Sequence, residues 1–128
     1  MENILEQEVL PSLKDASPLE LACAIGEVLD NKKGHEVRVL HVEEKTSIAD
    51  YFVLCTGNSG TQVKALAGEV EFKLEQRQVA ADNVEGRGNN SWIVVDYGNV
   101  VVHIFSREAR DFYNLDKLYG DAPVVKAF

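Results

Sequence analysis

Between Trp92 and Phe105 the chain reads Trp-Ile-Val-Val-Asp-Tyr-Gly-Asn-Val-Val-Val-His-Ile-Phe, two β-branched runs about a Gly98-Asn99 pair. A glycine-first pair between such runs predicts a hairpin closed by a tight two-residue turn. That turn sets Tyr97 opposite Val100, Val95 opposite Val102, Ile93 opposite Ile104 and Trp92 opposite Phe105. Because side chains alternate between the faces of a strand, one face then carries only Ile, Val and Tyr and belongs against a core. The other carries Trp92, Val94, Asp96, Val101, His103 and Phe105. That mixture suits neither a dry core nor a simply solvated surface, so it is expected to be touched by something else.

The remaining pattern supplies the elements around this hairpin. Residues 1–16 show no clear period and contain Pro11, which predicts a loose or partly helical N-terminal arm. Ser17-Pro18-Leu19-Glu20 is a capping box with proline at the first helical position, and Leu21, Ala22, Ile25, Val28 and Leu29 follow at helical spacing until Asn31 and Gly34. Residues 36–42 alternate as a two-faced strand. Tyr51-Phe52-Val53-Leu54-Cys55-Thr56 is a continuous apolar run of strand length, expected to be central and buried on both faces. A helix from about Thr61 to Gln78 carries Val63, Leu66, Ala67, Val70 and Leu74 on one stripe. A short strand is expected within 79–91, followed by the loop Glu85 to Ser91. Ser106 caps a last helix with Ala109, Phe112 and Tyr113, and residues 115–119 add a further turn before Pro123. The order predicts an α/β fold, a single sheet of about five strands flanked by helices. The domain is expected over 17–122, with a tail at 123–128.

Composition narrows the function. At 128 residues, 45% hydrophobic and 27% charged, the chain matches one ordinary globular domain. No apolar run approaches the roughly 20 residues that cross a bilayer, so no membrane partner is expected. The acidic start, Met-Glu-Asn-Ile-Leu-Glu-Gln-Glu, resembles neither a secretory signal nor a transit peptide, which points to the cytoplasm. Cys23 and Cys55, far apart in apolar patterns, are expected to be reduced, buried thiols. A net charge of −8 disfavours direct nucleic-acid recognition and favours a basic protein surface as partner.

Candidate chemistry is sparse. The strand, Gly57-Asn58-Ser59-Gly60 turn and helix form a junction of the type that presents backbone N–H groups to an anion. It lacks the lysine of a phosphate-binding loop and the spacing of a dinucleotide fingerprint, so a turn with a Ser or Asn helix cap is the plainer reading. A Gly-Ser turn also opens nucleotidyltransferase sites, but no closely spaced Asp pair follows to hold magnesium. Asp96 and His103 share a face, which allows a hydrogen-bonded pair that orders the hairpin or an interface. No Ser or Cys nucleophile can be placed beside them, and His35 and His41 show no ligand spacing with His103. No catalytic residue, cofactor or metal site is therefore assigned. Trp92, the single tryptophan, fits either a staple across the hairpin or an interface anchor.

The motifs Thr46 to Ser59, Val84-Glu85-Gly86, Trp92 to Gly98, Val100 to Phe105, Arg110 to Leu118 and Asp121-Ala122 together resemble the ribosomal silencing factor (RsfS, Iojap) family, and the likeness covers nearly everything from Ser17 to Ala122. Asn99 stands where the family usually has Asp, and Tyr119 where Trp is common. Asn suits the turn equally well, so the register should survive.

The resemblance implies a nucleotidyltransferase-like fold without the catalytic carboxylates, and a non-enzymatic repressor of translation. It implies binding to the large ribosomal subunit through ribosomal protein fourteen (uL-fourteen), which hinders joining of the small subunit, and a homodimeric state. The partner-binding residues expected are Trp92, Asp96, Tyr97, Gly98, Asn99 and His103 on the hairpin, with Glu85 and Gly86 beside it. Two alternatives stay open: an assembly factor for the large subunit, and a nucleotide-binding, nucleotidyltransferase-like enzyme using the Gly57 to Gly60 turn.

Overall fold

A computed structural model describes residues 10–128. Its elements are α1 (Pro18–Asn31), β1 (His35–His41), β2 (Tyr51–Gly57), α2 (Gly60–Gln76), β3 (Asn83–Glu85), β4 (Trp92–Asp96), β5 (Val100–Ser106), α3 (Arg107–Tyr113), the single-turn α4 (Leu115–Leu118) and β6 (Val124–Ala127). They form one mixed sheet of six strands in the order β3-β4-β5-β2-β1-β6. β2 and β5 run parallel and every other neighbouring pair is antiparallel. The sheet thus has one strand more than the pattern predicts. The expected tail supplies it: Val124–Ala127 pairs with β1, and Phe128 N–H donates to the Val37 carbonyl at 3.0 Å.

Local chemistry places the elements as read. Ser17 and Glu20 complete a reciprocal capping box at α1. Ser59 caps α2, accepting from Gln62 N–H at 3.1 Å, so the helix starts at Gly60 and ends two residues earlier than expected. β2 lies in the middle of the sheet with both faces covered, as a continuous apolar run requires.

Two cores flank the sheet. On one face α1 and α2 press Ala22, Ile25, Leu29, Val63, Leu66, Val70 and Leu74 onto Val39, Val53, Ile93, Val95, Val102 and Ile104. On the other, α3 and the chain around Ala122 cover a smaller set that includes Leu40, Phe52, Leu54, Val101 and Phe105. Cys55 is buried in the first core, where burial pushes its thiol up to about 12, and Cys23 is half-buried. Of the expected N-terminal arm, residues 1–9 lie outside the described residues. The part that follows is held rather than loose: Leu13 is buried, its N–H donates to the Arg77 carbonyl at 2.8 Å, and Arg77 Nε donates to the Pro11 carbonyl at 2.8 Å.

Candidate functional site: the mixed face of the hairpin

The hairpin register is the one the sequence predicts. Trp92 faces Phe105, Ile93 faces Ile104, Val94 faces His103 and Val95 faces Val102, with Tyr97 N–H donating to the Val100 carbonyl at 2.9 Å. Gly98 takes φ 85°, the left-handed geometry that a glycine-first turn demands. The Asn99 carbonyl accepts from the N–H groups of Asp50 and Tyr51, which ties the tip to the start of β2.

The two hairpin faces diverge as expected. Ile93, Val95, Val100, Val102 and Ile104 are completely buried under α1 and α2. Tyr97 belongs to this side, so the structure separates it from the other candidate residues. Burial, with Glu71 and Glu75 nearby, pushes its phenol pKa upward.

On the opposite face β3 extends the surface, because its register sets Asn83 beside Asp96 and Glu85 beside Val94. Gly86, at φ 95°, follows immediately, and a side chain there would strike the Trp92 carbonyl. Ile48, Phe52, Asn83, Glu85, Val94, Asp96, Val101 and His103 line a groove of about 200 Å³. Its walls are apolar and its rim carries the Glu85 and Asp96 carboxylates. The face therefore gathers Glu85, Asp96 and His103 at the groove, with Trp92 beside it. Gly86 and Gly98, both at positive φ, and Asn99, whose carbonyl ties the tip to β2, set the course of the backbone around it.

The Asp96–His103 pair does not form. Asp96 Oδ1 instead accepts from Gly98 N–H at 2.8 Å, an Asx-type cap on the turn. His103 accepts at Nδ1 from the Trp92 indole N–H at 3.2 Å, and burial lowers its pKa to about 4. His103 lies opposite Val94, with Trp92 and Asp96 as its two diagonal neighbours, and its one side-chain bond among the described residues goes to Trp92. Trp92 is half-buried among Phe105, His103 and Tyr113, with ring centroids 5.1, 5.9 and 4.5 Å away. It is stapled across the hairpin and reaches the surface beside Tyr113 and Phe112, which are 49% and 79% exposed.

Arg110 is a residue whose importance the periodicity does not reveal. It is 5% exposed and makes a two-pronged bond to Asp116 at 2.8 and 3.0 Å. Its remaining prong donates to Thr56 Oγ1 and to the Glu36 carbonyl. Glu36 sits at φ 50° in the irregular start of β1, a conformation uncommon for a residue with a side chain. The guanidinium bonds hold the Asp116 carboxyl below its usual range. Arg110 thereby fastens α3 and α4, and with them the aromatic patch, to the end of the sheet. The single hint in the sequence is an Arg and an Asp six residues apart.

The Gly57 to Gly60 turn is occupied by its own neighbours. Gln62 Oε1 accepts from Asn58 N–H at 2.5 Å, Ser59 Oγ from Gln62 N–H, and Asn58 Nδ2 meets His35 Nε2 at 3.0 Å. Of the backbone N–H groups that an anion would use at this turn, those of Asn58 and Gln62 are thereby already bonded.

The comparisons agree with this architecture. The family described as "Ribosomal silencing factor during starvation" matches residues 15–127. A protein of Bacillus subtilis named "Ribosomal silencing factor RsfS" is 38% identical over 113 residues, 88% of this chain and 93% of the relative. One of the same name from Halalkalibacterium halodurans is 40% identical over 98 residues, 77% of this chain and 84% of that protein. A crystal structure of a Chromobacterium violaceum protein is similar with a TM-score of 0.78 at 35% identity, covering 81% of this chain and 87% of that one. No helix among the described residues is long and apolar enough to cross a membrane. On the strength of a match across almost the whole domain, the chain belongs to the ribosomal silencing factor RsfS family.

Proposed function

We propose that this protein is a non-enzymatic translation repressor of the cytoplasm that binds the large ribosomal subunit through ribosomal protein fourteen and blocks joining of the small subunit. The observation that carries the reading is the mixed hairpin face. A half-buried Trp92 with exposed aromatics beside it and an acidic-rimmed groove next to them form a surface that the fold itself does not cover. Trp anchors set in partly desolvated surroundings dominate protein interfaces. A net charge of −8 speeds encounter with a basic ribosomal protein. Family membership and the names of the relatives support the ribosome as the target.

In this mechanism Trp92, Asp96 and Glu85 dock, Gly86, Gly98 and Asn99 shape the backbone around them, and the body of the domain obstructs the joining surface. A homodimer using the same face would compete with docking. Light scattering of subunit association tests the proposal: saturating protein should reduce association. Unchanged association with demonstrated binding would leave the assembly-factor reading in its place.

A further inference from the structure

The His103 imidazole carries an unanswered donor. Trp92 Nε1–H donates and cannot accept, so its 3.2 Å bond to His103 Nδ1 requires that nitrogen to be unprotonated. Burial keeps the ring neutral near pH 7, which leaves its one proton on Nε2. His103 is 7% exposed, and its Nε2 has no hydrogen-bond partner among the described residues. A buried donor without an acceptor costs free energy comparable to a lost hydrogen bond. His103 lines the groove while its Nδ1 is committed to Trp92, which is not a groove residue. Nε2 is the ring nitrogen left for an occupant and is itself covered, so an occupant reaches it only when the ring shifts toward the groove.

The surroundings restrict what would answer that donor. The groove of about 200 Å³ has room for one side chain but not for a loop, and its walls are Ile48, Phe52, Val94 and Val101. Its rim holds the acceptors Glu85 and Asp96. An arginine or lysine head would suit the rim, yet neither has an acceptor for Nε2–H. A carboxylate would accept from Nε2–H, yet it would face two like charges. An uncharged carboxamide has both halves: its carbonyl accepts and its NH2 donates.

We propose that this groove is a subsite for the carboxamide of a glutamine or asparagine side chain of a protein partner, with its carbonyl on His103 Nε2–H, its NH2 on the Glu85 or Asp96 carboxylate and its stem against Val94 and Phe52. The inference rests on the docking reading above for its partner, while the chemistry of the subsite stands on the groove alone.

Two experiments test it and separate its failure from failure of docking. In the first, propionamide is titrated into the 15N-histidine-labelled protein, with the His103 ring nitrogens and the Val94 and Val101 methyls followed by NMR. Expected are an Nε2-protonated neutral ring and saturable millimolar shifts at these groups, as a five-atom ligand allows. The shifts should vanish in Ile48→Trp, which closes the groove from the exposed rim, and in Val94→Trp. A proton on Nδ1, no saturable shift, or equal or stronger binding of propylguanidinium would overturn the proposal. In the second, wild type and Ile48→Trp are co-sedimented with large ribosomal subunits, and the closed groove should weaken binding by about tenfold or more. Equal pelleting of both proteins would overturn use of the groove while leaving docking intact. Failure of the wild type to pellet would sink docking, and the propionamide titration would still decide the groove.

Discussion

The two faces of one hairpin obey different rules although their residues alternate along the same strands. Toward α1 and α2, Ile93, Val95, Val102 and Ile104 are completely buried and wholly apolar, so that side stabilises the fold. Away from them, the same strands carry Trp92, Asp96 and His103, with a groove and an orphaned donor. The second face has a small core of its own, but that core depends on α3 and α4 being fastened by Arg110. The contrast teaches that polar and aromatic residues on a strand face signal use only where the fold leaves part of them unanswered.

The largest effect expected is on the dry face. Ile104→Ala should destabilise the protein by about 2–5 kcal/mol in chemical denaturation, since it opens a cavity among fully buried neighbours. Val94→Ala, on the half-buried side of the neighbouring strand, should cost about 1 kcal/mol or less. Equal losses would erase the distinction between the faces. Arg110→Ala should cost about 3 kcal/mol by leaving Asp116, Thr56 and the Glu36 carbonyl without their shared donor. Protease cutting near Tyr113 should rise with it. A variant as stable as wild type would show that α3 and α4 hold themselves.

Acid sensitivity sharpens the comparison further. His103 has its pKa lowered by burial from 6.5 to about 4, so the folded state binds fewer protons than the unfolded state between those values. Stability should fall by roughly 3 kcal/mol as pH drops from 6.5 to 4 and, for this group, level off below. Asp116 is depressed in the folded state, so its contribution is present above its unfolded pKa near 3.8 and is lost only as pH falls lower. Unfolding of His103→Leu, followed against pH, should lack the first limb and keep the second. An unchanged slope between 6.5 and 4 would mean that His103 titrates freely.

How far the molecule was legible follows from which forces set each part. The hairpin was readable to the residue because a two-fold period and a Gly98-Asn99 turn admit one register. β2 was readable as central because its apolar run has no solvent face. β6 was not, since four exposed residues after Pro123 have no pattern of their own and become a strand only against β1. Arg110 was missed because a charged residue in a short helix reads as solvated, and its burial depends on Asp116 and on a carbonyl 74 positions away. The candidate site was legible as a face but not as a set of bonds. Asp96 and His103 share that face yet answer to the turn and to Trp92, and Tyr97 points into the first core.

The central claim is that the mixed face docks on the large subunit with Trp92 as anchor. Co-sedimentation with large ribosomal subunits, comparing wild type with Trp92→Ala at matched circular dichroism, tests it most directly. The account predicts that the variant remains folded and binds more weakly by about 2 kcal/mol or more. A folded variant that pellets with the subunit as well as wild type does would contradict it.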